Sequence, residues 1–202
     1  ISAPVALLRD QAADNLLQSR VAADLVETQA WRASWLLNAA ALVTGAAAPG
    51  RLKSLTSIVE RVVMGFEPEA RLSGLHLQVS LGVGASAATF DDRLGLAAIT
   101  AGIVQTLMWL QSAVEPRIEI RVDAPHAPAC RVEIVQRMAS VPPPVGRFFL
   151  QPDDGHDASL TSALAARVIK LATVDVGGTA EVVAISGRGS VIQCTFMPRP
   201  AV

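Results

Sequence analysis

Apolar residues recur every three or four positions between residues 4 and 44: Leu8, Ala12, Leu16, Val21, Leu25, then Trp35, Ala39 and Leu42. That period is helical, and neither Gly nor Pro interrupts it between Val5 and Val43. Arg9, Asp10, Asp14, Arg20, Asp24, Glu27 and Arg32 are expected to mark its wetter side. A helix of this length cannot bury its stripe alone, so the pattern calls for a partner helix. The run from Gly45 to Gly50, with Pro49 inside it, breaks the segment. A second helix is predicted over 52–71, with Leu55, Ile58, Val62, Val63 and Phe66 on one side. Whether Ser57 caps it or lies on its surface stays open.

Polar and apolar residues then alternate over 75–81 (LHLQVSL), 117–122 (RIEIRV) and 131–136 (RVEIVQ), the mark of half-buried strands. Residues 89–92 lead into an apolar helix predicted over 93–113. Four prolines and a DDGHD run make 139–157 a loop. A helix follows over 161–172, ended by Gly177-Gly178, and two strands over 180–185 and 191–197 are joined by a Gly187-Arg188-Gly189 turn. This order predicts an α+β fold: a two-layer sandwich of a mixed or antiparallel sheet with helices on one face, preceded by a long helical segment. The expected division is a helical dimerisation segment over 1–50 and a sandwich domain over 51–202.

Charged residues make up 17% of the chain and apolar ones 51%, which predicts extensive burial, a subunit interface included, and excludes a disordered chain. With a net charge of −1 and scattered Arg and Lys, no nucleic-acid surface is expected. Residues 94–114 are long enough to span a bilayer. Their Thr and Gln residues, and the Asp91-Asp92-Arg93 run before them, favour a buried core helix, so no membrane span is expected. No basic, then apolar, leader opens the chain, and a start at Ile1 reads as a piece of something longer. Cys130 and Cys194 match no metal spacing and are expected to be small buried apolar residues. Asp153, Asp154, His156 and Asp157 form the acid–histidine cluster of the chain, expected to be a solvated loop rather than a metal site. There is no Gly-x-Ser-x-Gly elbow for a hydrolase.

From Phe66 to Pro198 the chain resembles the ATP-binding domain of histidine kinases, the GHKL or Bergerat fold. The resemblance is carried by FEPEARLSGLHLQVSL (66–81), DDRL (91–94), RIEIRV (117–122), RVEIV (131–135), ARVIKL (166–171) and GGTAEVVAISGRGSVIQCTFMP (177–198). The segment LVETQAWRASWLLNAAALVTG (25–45) is similar to the second helix of that family's dimerisation hairpin. The resemblance implies a homodimer through the N-terminal helices, with Leu25, Trp31, Trp35 and Leu42 at the seam. Trp31 and Trp35, one turn apart, are expected at the centre of that seam, where aromatics bury large area, with packing against the chain's own sandwich domain as the alternative. It also implies a cytoplasmic protein whose partner is a response regulator or a kinase.

The family's nucleotide motifs are replaced. Its metal-binding Asn would fall within 99–105, where this chain has none. Alignment on Pro142 places Gln136 where the family's adenine-reading Asp would stand, with Met138 and Ser140 at its two glycines. Side chains at those positions crowd a backbone that must approach the base. The phosphate-cradling glycine loop corresponds to Ser159-Leu160-Thr161-Ser162, and no glycine lies between Gly155 and Gly177. His76, His126 and His156 all lie beyond the N-terminal helices, so those helices carry no phosphoacceptor. The expectation is a non-enzymatic, pseudokinase-like signalling domain with no catalytic residue, cofactor or metal. Two alternatives stay open. One is a kinase that binds ATP through divergent motifs, with Gln136 on the adenine edge and Ser159, Thr161 and Ser162 on phosphate. The other is a small-molecule sensor using the vacated pocket.

Overall fold

The computed structural model describes residues 3–111, 113–124, 129–139, 159–185 and 189–197, with the side chains of the first helix placed from Asp14 onward. Helix α1 (Ala3–Val43) leads through a turn to β1 (Leu52–Ser54) and α2 (Leu55–Ser73). Then come β2 (His76–Leu81), β3 (Thr89–Asp91), α3 (Asp92–Trp109), β4 (Arg117–Asp123) and β5 (Cys130–Gln136). Helix α4 (Leu160–Ala172), β6 (Thr179–Ala184) and β7 (Ser190–Phe196) complete the chain.

The main sheet has the order β2-β4-β5-β7-β6. Its β2–β4 pair is parallel and the others antiparallel. A parallel pair needs a crossover, and β3 with α3 supplies it. Alternation sets the faces: Ile118, Ile120 and Val122 of β4, Val132 and Ile134 of β5, and Ile192 and Phe196 of β7 are all buried beneath the helices. Each such aliphatic side chain contributes roughly 1.5–3 kcal/mol when fully buried. The fold class read from the sequence is the one observed.

Helix α3 shows no polar stripe because it is enclosed by α2, α4 and β5, and eleven of its residues are buried. Asp91 caps it, accepting from the Arg93 and Leu94 amides. Helix α2 starts three residues later than its pattern suggests, because 52–54 pairs with β3 as β1. Its cap is Ser54, whose Oγ accepts from the Ser57 amide, so Ser57 is the capped residue. Gly74 ends it at φ 69°, a left-handed conformation suited to glycine.

Helix α1 departs from expectation in two places. Trp35 is 3% exposed, and its indole N–H donates to the Ala97 carbonyl of α3 at 3.1 Å. Trp31 meets Phe66 of α2 edge-on, with ring centroids 6.4 Å apart. A Cβ on Gly65 would overlap the Trp31 ring, so that glycine makes the contact possible. Trp35 therefore belongs to the chain's own core, and Trp31, half-buried, packs on Phe66 of α2; Leu42 is half-buried against the same core. Asp24, expected on the wet side, is buried and forms an ion pair with Arg71 of α2. Leu25, by contrast, is 52% exposed.

Cys130 and Cys194 are free and buried on the inner face of adjacent strands. Burial pushes the Cys130 thiol up to about 11 and the Cys194 thiol up to about 12. Both are protonated and unreactive near neutrality. Among the described residues, no helix is long and apolar enough to cross a membrane. The Asp153–Asp157 cluster and the Gly187-Arg188 part of the hairpin lie outside the described residues.

Candidate functional site

Strand β5 runs inward-facing Cys130, Val132 and Ile134, then ends on an amide, Gln136, which is 1% exposed. A buried amide is tolerated only where its donors and its oxygen are bonded. The Gln136 Oε1 accepts from the amides of Met138, at 2.8 Å, and Ala139, at 2.9 Å. Its Nε2 donates to the Ser190 hydroxyl at 2.8 Å and to the Ala139 carbonyl. Gln136 thus ties off the turn after β5 and pins it to the first residue of β7, its register partner. Gly189 keeps this end closed: it sits at φ 147°, and a Cβ there would approach the Gln136 carbonyl oxygen to 2.6 Å. Met138 reaches the start of β4, where its Sδ accepts from the Arg117 amide at 3.3 Å.

A second network joins α3 to α4. Ser159 caps α4 by accepting from the Ser162 amide at 3.2 Å. The Ser162 hydroxyl, in the first turn, donates to Gln105 Oε1 of α3 at 2.7 Å. Both side chains are buried. Thr161 and Ser159 instead line a cleft of about 630 Å³ between α1 and the C-terminal half of α3, walled by Trp35, Leu36, Leu107 and Met108.

The six pocket positions read from the sequence therefore divide. Gln136 and Met138 share one turn, Ser159 and Ser162 share one cap, Thr161 faces the α1 cleft, and Ser140 lies outside the described residues. Two members of these networks were missed by sequence reasoning, Ser190 and Gln105. The available signal was the polar side chain at an inward position of an otherwise apolar element, which requires a buried partner. None of Gln105, Gln136, Ser162 and Ser190 ionises near neutrality, so neither network can act as a general acid or base. Among the described residues no group of three or more His, Cys, Asp or Glu side chains could hold a metal ion.

The titratable groups with displaced values lie elsewhere. The Arg71 hydrogen bond holds the Asp24 carboxyl below the usual carboxylate range. The Arg121 hydrogen bond does the same for Glu119 on the outer face of the sheet. Burial acts to raise Asp92, but the Arg51 amide and the Lys53 ammonium outweigh it and the net shift is downward.

No protein-family model matches the sequence, and no curated protein matches it. Solved structures do. The catalytic domain of the histidine kinase ThkA aligns over 77% of this chain and 100% of its own, at a TM-score of 0.61 and 12% identity. The Acinetobacter baumannii histidine kinase AdeS aligns over 96% of this chain and 85% of its own, at 0.51 and 14%. ThkA in complex with the response regulator TrrA aligns over 74% of this chain and 42% of its own, at 0.56 and 14%. At these identities the likeness is one of fold: this chain has the fold of a histidine-kinase catalytic domain.

Proposed function

We propose that this chain is a catalytically silent signalling domain of the histidine-kinase type, working by protein contact in a two-component pathway. The observation that carries this reading is the saturation of Gln136, the position that the resemblance assigns to adenine recognition. Its oxygen takes two backbone amides and its nitrogen gives to a carbonyl of its own turn and to the Ser190 hydroxyl of β7. Reaching an adenine edge would mean leaving some of those buried groups unpaired, at roughly 1–3 kcal/mol for each. The Ser162 hydroxyl is likewise committed to Gln105 rather than free for phosphate.

The contacts are twofold in this reading. The exposed apolar residues of α1, Leu16, Leu17, Val21, Leu25 and Val26, meet a second copy. The sandwich offers the docking surface for a response regulator or a kinase, a reading supported by the solved complex of ThkA with the response regulator TrrA. Such a domain would act in the cytoplasm. Calorimetric titration of a non-hydrolysable ATP analogue, with and without magnesium, is the direct test. No heat at millimolar nucleotide is expected. Micromolar, magnesium-dependent binding that Gln136→Ala abolishes would overturn the proposal and restore the divergent-kinase reading.

A further inference from the structure

At the far end of α3 from Gln105 a separate cleft of about 630 Å³ opens between α1, the 49–51 turn, β1, α2 and the start of α3. Four cationic side chains line it, Arg51, Lys53, Arg61 and Arg93, against one lining carboxylate, Asp92. This concentration occurs in a chain whose net charge is −1.

The nearby acids are already engaged. Asp91 accepts from the amides of Gly50, at 2.9 Å, Arg93, at 3.0 Å, and Leu94, at 2.9 Å. Asp92 accepts from the Arg51 amide at 2.9 Å and pairs with Lys53 at 3.2 Å. Arg93 reaches back to the Ala48 carbonyl at 3.2 Å and keeps its other donors. Among the described residues the Arg51 and Arg61 guanidinium groups form no hydrogen bond and no ion pair within 4.0 Å, while Arg61 stands near enough to Asp92 to help hold its carboxyl down. The cleft wall is also built rather than incidental. Gly50 is required there, because a Cβ would come within 2.3 Å of Asp91 Oδ1, and the contact holds the Arg51 turn against α3.

We propose that this cleft binds a phosphorylated small molecule carrying at least two negative charges. Guanidinium forks match the geometry of phosphate oxygens, and Lys53 adds a compact point charge. Two forks with all their hydrogen-bond donors uncommitted, with Arg93 and Lys53 beside them and one carboxylate, Asp92, among them, leave more positive charge than one monoanion would balance. Across the cleft Ser34 and Asn38 of α1 supply neutral donors and acceptors for the rest of such a ligand. Because α1, α2 and α3 all contribute, occupancy would brace the long helix against the sandwich.

The probe is inorganic pyrophosphate, titrated calorimetrically into the full chain at low ionic strength. One saturable site is expected, weakened at least tenfold in Arg51→Ala/Arg61→Ala and unchanged in Arg131→Ala, an exposed arginine of the outer sheet face. Arg61→Gln alone should weaken it by a smaller factor and replaces the double variant if that one fails to fold. Absence of saturable binding, equal affinity in the double variant, or the same response to sodium chloride at matched ionic strength would overturn the proposal. A nucleotide triphosphate bound here would need no magnesium and would be lost in Arg51→Ala/Arg61→Ala, which separates it from binding at Gln136.

Discussion

The inward stripe of α1 runs at alternating four- and three-residue steps through Leu17, Val21, Asp24, Thr28, Trp31 and Trp35, and its two halves meet different surroundings. In the lower half Trp35 is 3% exposed and Ala39 0%, both against the chain's own sandwich. In the upper half Leu17 is 62% exposed and Val21 47%. Length explains the difference. At 1.5 Å per residue the 41 residues of α1 extend about 62 Å, whereas the 19 of α2 extend about 28 Å. The upper half overhangs the end of its intramolecular partner, and Asp24 and Arg71 mark the place where that partner stops. One helix thus carries both a core element and an unpartnered apolar surface, joined without a break.

The largest effect should come from the lower half. Trp35→Ala is expected to destabilise the fold by about 3–5 kcal/mol in denaturant unfolding, as large aromatic truncations in cores do. A loss below about 1 kcal/mol would mean that the helix is not part of the sandwich core. In the upper half, Leu17→Glu/Val21→Glu/Leu25→Glu should leave unfolding almost unchanged while raising the dissociation constant for self-association at least tenfold. Light scattering at micromolar concentration measures this, and a mass independent of the substitutions would remove the two-surface picture. Trp35→Phe keeps the apolar contact and drops the bond to Ala97, so a loss of about 1 kcal/mol is expected.

The smallest effect belongs to the junction. Asp24 has a folded pKa below its ordinary value of about 3.9, because of its bond to Arg71. Its contribution to stability is complete above that ordinary value and disappears as pH falls through the lower folded one. The stability gap between the native chain and Asp24→Asn should therefore be constant from pH 7 to about 5 and narrow below about pH 4. A gap that widened on acidification would reverse the assignment of the pair.

The same contrast explains what could be read from the sequence. The alternating strands and the apolar α3 announce themselves because their burial is decided by the sheet, whose period is two, and by enclosure on all sides. Helical periodicity gave α1 to within one residue at each end. It could not say whether Trp31 and Trp35 faced another copy or the same chain, since both surroundings reward an aromatic residue. Asp24 was misplaced for a related reason: a carboxylate on a stripe reads as solvated until its partner, Arg71, is seen 47 positions away. At the nucleotide-like end, the replaced residues were legible but their new bonds were not. Gln136 and Ser162 were named, whereas Ser190 and Gln105 emerge only from register and helix packing.

The overhang of α1 also has a mechanical side. Trp35 on Ala97, Arg32 on Glu69 and Arg71 on Asp24 fix the helix to α2 and α3 at three heights. With no hinge between Ala3 and Val43, the free end behaves as a lever of about 30 Å beyond α2. A torque applied to that end would therefore reach the sandwich through these three contacts and turn it with the helix.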